Sequence, residues 1–133
     1  MTEPSERRFA RASRLEGPIS PEEERQFSTL AHLGGLLAIY PPLGLLPALV
    51  IFLIHRNRGP FIRDQSTEAL NFQITVFIAQ LVVWLIDALS GDFGTWPLSI
   101  AVWVFSAIFS VLAALTCGKG TAYRYPVSIR FLH

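Results

Sequence analysis

The sequence predicts an all-α integral membrane protein of four membrane helices, the first two paired as a short Pro-turn hairpin, with both termini cytoplasmic. Three observations predict it. All 11 Lys and Arg residues fall in three short stretches that bracket apolar runs: Arg7, Arg8, Arg11, Arg14 and Arg25; then Arg56, Arg58 and Arg63; then Lys119, Arg124 and Arg130. The polar break at 87–95 has no cation and carries Asp87 and Asp92 instead. Cytoplasmic loops accumulate Lys and Arg, so the three basic stretches belong on the cytoplasmic side and the Asp-bearing turn outside. Finally, 51% of the 133 residues are apolar and the mean hydropathy is +0.42, more than the core of a soluble domain this size requires.

Residues 1–20 read as a disordered polar N-terminal tail, because a stretch of Arg, Glu, Ser and Pro with little apolar content cannot offset its own ordering entropy. No apolar segment directly follows the first basic residues, as a cleaved signal peptide would need. Residues 21–133 then form the membrane helical domain. Its start is marked by Ser20 as cap, Pro21 in the first helical position and Glu23 closing a capping box.

The apolar run 27–54 permits two topologies. One kinked span would place Arg25 and the Arg56 cluster on opposite sides of the membrane, against the charge bias. A hairpin broken at 40–44 by Pro41 and Pro42 keeps both ends cytoplasmic, and the charge bias favours it. Its return arm, 43–54, would measure only about 18 Å at 1.5 Å per residue, so it would be re-entrant or sit in a thinned bilayer. A third helix is expected over 62–89, with 70–89 in the hydrocarbon. After a turn at 90–94, Thr95, Trp96 and Pro97 open a fourth helix that is apolar to Leu115. Tyr40, Phe93 and Trp96 are expected at the outer interface, with Phe61, Tyr123 and Tyr125 at the inner one. The closing stretch 123–133 is Pro-interrupted and mixes apolar with basic residues, which suits the cytoplasmic interface.

Polar residues near lipid are costly, so their partners matter. Asp64, Glu68, Asn71 and Thr75 form one helical stripe by their spacing, and Gln73, Gln80, Trp84 and Asp87 a second, while His32 lies in the first apolar run beside Gly34 and Gly35. His32, Asp64, Glu68, Asn71, Thr75 and Gln80 are the candidate structural polar positions. The first stripe is confined to one end of its helix, which suits interhelical hydrogen bonding better than a through-membrane pathway. Glu68 and Asn71 are expected to bond a neighbouring helix or the C-terminal Tyr-Arg-Tyr-Pro segment. Gly34, Gly35, Ser106, Ser110 and Ala114 supply a small-residue packing face, within the chain or between copies.

No catalytic constellation emerges. Gly118, Lys119, Gly120 and Thr121 resemble a phosphate loop only faintly, since Ala113 stands where its first glycine belongs and no strand precedes it. His32, His55 and His133 share no metal spacing with the single cysteine, Cys117, which also excludes an intrachain disulfide. The expectation is no enzyme, no cofactor and no bound metal. A net charge of +1 is a weak argument for nucleic acid, because phosphate binding needs a concentrated basic face and the cations here are better explained as topology signals.

The segments LAHLGGLL at 30–37, FIRDQSTEALNFQIT at 61–75 and the ending YRYPVSIRF resemble the three blocks of a small bacterial membrane protein family of unknown function. That family is similar to the four-helix component of the chloroplast inner-envelope protein-import translocon, and magnetosome membrane proteins also resemble it. The match runs from about Glu22 onward, and the family's recurring positions fall on His32, Glu68, Ala69, Leu70, Asn71, Phe72, Tyr125 and Pro126. The resemblance implies four membrane helices with both termini on one side. It does not carry a transport function, because one fold hosts many activities.

Two functional expectations follow for a multi-pass protein of the bacterial cytoplasmic membrane whose partners are the lipid bilayer and other membrane proteins or itself. In the first, it is a non-enzymatic helix-packing accessory subunit. In the second, an oligomer lines a polypeptide or solute pathway. The segment 74–86 offers mainly Thr75, Gln80 and Trp84 as polar lining, which favours the first.

Overall fold

Helix starts are written plainly in this chain, and the fold is built on them. The computed structural model describes residues 6–7 and 17–133; the rest of the predicted polar tail lies outside the described residues. Helix α1 spans Pro21–Leu33 and continues as a 3₁₀ segment, Gly34–Ile39. Helices α2, α3 and α4 span Pro41–His55, Pro60–Ser90 and Trp96–Gly118. The remainder, 119–133, runs back without regular structure, and no strand occurs among the described residues.

The capping box at Ser20 is present in full. The Ser20 N–H donates to the Glu23 carboxylate at 2.9 Å and the Glu23 N–H to the Ser20 hydroxyl at 3.2 Å. The Ser20 backbone bond, and then its hydroxyl, hold the Glu23 carboxyl below the usual carboxylate range. Ahead of the cap, the Gly17 carbonyl accepts from the Arg58 guanidinium, and the Ile19 N–H donates to the Arg58 carbonyl.

Glu24 has a longer reach than its neighbours in the first turn. Its buried carboxylate accepts the Ile62 N–H at 2.9 Å, capping α3 from another helix, and Gly59 is the residue whose missing Cβ leaves room for it. Replacing Glu24 with Leu strands that N–H beside a fully buried Ile62 and is expected to cost about 1–3 kcal/mol. Glu22→Leu on the exposed side of the same turn should cost under about 0.5 kcal/mol. Thermal unfolding in a nonionic detergent checks this; equal midpoints for the two variants would remove the cap from the account.

The run 27–54 folds back on itself. Phe27 stacks on His55 at a ring separation of 4.1 Å, a Cβ on Gly34 would run into Pro47, and one on Gly44 would lie 2.6 Å from the Ala38 Cβ. These opposed pairs describe an antiparallel hairpin, not a kinked span. The break differs from the predicted 40–44. Only Tyr40 is extended, at φ −114° and ψ 101°, while Pro41 and Pro42 are the first residues of α2. A helix start has orphan N–H groups and proline has none to orphan, so the pair suits a helix that begins in apolar surroundings. Pro47 sits inside α2.

The hairpin is shorter than its neighbours. Its tip residue Ile39 shares a pocket of about 280 Å³ with Gln80, Trp84, Ser99, Ile100 and Trp103, so α3 continues for ten further residues beyond it, about 15 Å. Two helices, α3 and α4, are long and apolar enough to cross a membrane, and α2 is a shorter apolar helix. Tyr40 is therefore not level with Phe93 and Trp96, as the aromatic-belt expectation had it. The hairpin ends about two-thirds of the way along α3, beside Gln80 and Trp84.

α3 and α4 pair antiparallel, with the Gln80 amide donating to the Ser99 hydroxyl at 2.6 Å and the Asp87 carboxylate accepting the Thr95 N–H at 3.2 Å. Gly91, at φ +67°, ends α3 in the left-handed conformation that favours glycine. α1 packs on α4 where Gly35 meets Ser110, and the Trp103 indole N–H donates to the Leu36 carbonyl at 3.2 Å. One apolar cluster joins Ala31, Ala48, Ile51, Ile62, Ala69 and Leu70. A second joins Ala38, Phe72, Val76, Ala113 and Tyr125.

Candidate functional site

The buried polar residues of α3 converge under the C-terminal strap, 119–133. Gln65 is at the centre, fully buried. Its amide nitrogen donates to Asp64 Oδ2 at 2.7 Å, which fixes the orientation of the amide because a carboxylate only accepts. Gln65 Oε1 is then left facing three donors: His32 Nε2 at 3.2 Å, the Cys117 thiol at 3.1 Å and the Tyr123 N–H at 3.0 Å. An acceptor-only oxygen opposite Nε2 places the imidazole proton there, so His32 Nδ1 accepts from the Tyr125 hydroxyl at 2.8 Å. The proton assignment follows from the network.

Each member of the first stripe meets the strap. Asp64 Oδ1 pairs with Arg124 at 2.6 Å, and this carboxylate holds the guanidinium further above its ordinary value. Glu68, 3% exposed, accepts the Tyr125 N–H at 2.9 Å and has guanidinium nitrogens of Arg124 and Arg130 at 3.5 Å each. A buried carboxylate needs such compensation. Asn71 makes a two-way bond with Leu132, donating to its carbonyl and accepting its N–H, both at 2.9 Å. Thr75 accepts the Ile129 N–H at 2.9 Å and donates to the Asn71 carbonyl. Glu68, Asn71 and Thr75 satisfy backbone groups that an extended segment cannot satisfy by itself, and Asp64 anchors the Arg124 side chain.

The strap is thus part of the folded core, and the interfacial placement predicted for Tyr125 is corrected. Tyr125 is 3% exposed, and its ring stacks on Phe72 with centroids 3.7 Å apart and planes within 6°. Gln80 does not join this group; it lies deeper and bonds Ser99. The second stripe divides, with Gln73 and Gln80 buried, Trp84 turned outward at 41% exposure and Asp87 bound to the Thr95 backbone.

The small-residue face is spent inside the chain. Ser106 and Ser110 are fully buried, Ala114 is 3% exposed, and Gly34 and Gly35 are buried against Pro47 and Ser110. Gln65 is the residue that sequence spacing left out. The signal for it was its position between Asp64 and Glu68, three residues before the latter on the same helical face. Among the described residues no group of three His, Cys, Asp or Glu side chains is placed to hold a metal ion.

No curated protein and no solved structure matches the chain. A family comparison matches residues 23–132, taking in α1 through the strap, to a magnetosome protein family, and it lends no support to the likeness to a translocon component. With its two potential spanning helices and a match over most of its length, the chain belongs to the MamF/MmsF family, the magnetosome magnetite crystal formation protein family.

Proposed function

We propose that this chain is a non-enzymatic, multi-pass accessory subunit of a bacterial membrane on which magnetite crystals form, acting through assembly with itself or with a larger membrane complex. The observation that carries this reading, beside the family, is that Glu68, Asn71, Thr75 and Gln80 of α3 are taken up by internal bonds to the strap and to Ser99. Such a stripe holds a fold together and leaves little polar surface to line a passage. The small face is likewise consumed within one chain, so partners meet the outward apolar surfaces of α3 and α4.

Deleting the chain in its host and measuring crystal number and size by electron microscopy tests the role. Altered crystals restored by the intact chain, with no conductance from the purified chain in vesicles, are expected. Unchanged crystals sink the proposal, and conductance reduced by Gln80→Leu would establish a pathway instead.

The topology is part of the same reading, with both ends of the hairpin and the strap on the cytoplasmic side. Cys117 is first replaced by Ser, which keeps a donor for Gln65. Single cysteines are then added. An impermeant thiol reagent applied from outside should label position 92 and miss positions 58 and 133. Labelling at 58 would overturn the arrangement.

A further inference from the structure

Beside the strap lies a cleft of about 470 Å³, walled in part by the ion pairs that hold the strap to α3. Its lining includes Arg63, Asp64, Glu68, Arg124, Arg130 and Leu132. Asp64 is held by Arg124, and Glu68 by the Tyr125 N–H and two guanidinium groups. Arg63 is exposed and makes no ion pair among the described residues, and His133, at the cleft wall, contributes none to these cations either. Three guanidinium groups therefore face two side-chain carboxylates that are already engaged. The outer donors of Arg63 and Arg130 remain for an added anion, and guanidinium matches the paired oxygens of a phosphate.

Depth identifies the source of that phosphate. The 31 residues of α3 extend about 46 Å at 1.5 Å each, close to the 40–45 Å of a bilayer with its headgroups. With 70–89 in hydrocarbon, Arg63 stands about 10 Å above it, level with lipid headgroups. The strap gives an independent sign. Val127, Ile129 and Phe131 are each at least 50% exposed and alternate with Ser128, Arg130 and Leu132, so one edge of the strap presents apolar side chains outward, with Phe131 between the cleft residues Arg130 and Leu132. Such an edge suits acyl chains and disfavours water. We propose that the cleft between the first two turns of α3 and the strap binds the phosphodiester of an anionic phospholipid, with Arg63 and Arg130 as its donors.

The test supplies the full chain, purified in nonionic detergent, with equal amounts of phosphatidylglycerol and phosphatidylcholine and counts retained lipid by native mass spectrometry. Phosphatidylglycerol should be retained preferentially. Arg63→Gln and Arg130→Gln should each lower its apparent affinity about fivefold, the effect of one basic group near an anionic lipid. Arg56→Gln, on the same basic rim but over the Phe52 ring, should leave it unchanged. Because Arg63 has no ion pair to break, its variant reports on the site even if Arg130→Gln misfolds. Equal retention of both lipids, or no effect of Arg63→Gln, overturns the proposal. Displacement of the lipid by millimolar inorganic phosphate would overturn the lipid as ligand and assign the cleft to free phosphate.

Discussion

Gln65→Leu is expected to abolish recovery of folded, monodisperse protein from detergent. The substitution keeps the volume and removes the single oxygen that faces His32, Cys117 and Tyr123. Each stranded buried donor costs about 1–3 kcal/mol, less for a thiol, so the loss sums to about 3–6 kcal/mol. Gln65, His32 and Cys117 are fully buried inside the fold, so water does not reach the abandoned groups without opening it. A typical domain has about 5–15 kcal/mol in total. Cys117→Ala removes only the weakest of the three donors and should cost under about 1 kcal/mol beyond its packing. Size-exclusion profiles and thermal midpoints of the two variants decide the matter. A Gln65→Leu protein that elutes and melts like the parent would show that the hub does not hold the strap.

Gly44→Val is expected to open the hairpin. A Cβ at Gly44 would lie 2.6 Å from the Ala38 Cβ and 2.8–2.9 Å from Ala38 backbone atoms, and a backbone cannot swing aside as a long side chain can. Overpacking of this kind costs about 1–3 kcal/mol, and contact with backbone puts this case at or above the upper figure. Gly118→Val is the comparison, since a Cβ there meets only Thr29 Oγ1, at an ordinary 3.7 Å. The pair also discriminates topologies. Were the run 27–54 one kinked span, Gly44 would face lipid and its valine variant would melt like the Gly118 variant. A midpoint lower for Gly44→Val than for Gly118→Val is the result expected of the hairpin.

Local chemistry was legible in the sequence because its causes are local. Ser20, Pro21 and Glu23 declare a helix start through bonds spanning three residues, and the stretch 90–94 with its two glycines declares a turn, in which Gly91 takes the left-handed φ. The apolar runs of α3 and α4 declare two spanning lengths in the same way. Charge bias along the chain pointed to a hairpin, and the opposed pairs Phe27–His55 and Ala38–Gly44 give its geometry. The predicted break was misplaced because adjacent prolines were read as ending a helix. At a helix start they remove donors that would otherwise go unbonded, and only knowing which neighbours cover Tyr40 separates those two uses.

The polar stripe was visible as a stripe, and its spacing showed that Asp64, Glu68, Asn71 and Thr75 share a face. What that face touches was decided by the tertiary structure. The strap that binds it lies 54 to 61 residues further along the chain and has no periodicity of its own, so nothing local announces that Tyr125 is core and not interface. Gln65 escaped notice for the same reason. A glutamine in a helix is ordinary until three donors from three separate segments, α1, α4 and the strap, arrive at one oxygen. Helical periodicity is a property of neighbours in sequence, whereas the satisfaction of a buried polar atom depends on which distant groups the fold brings within 3 Å or so of it.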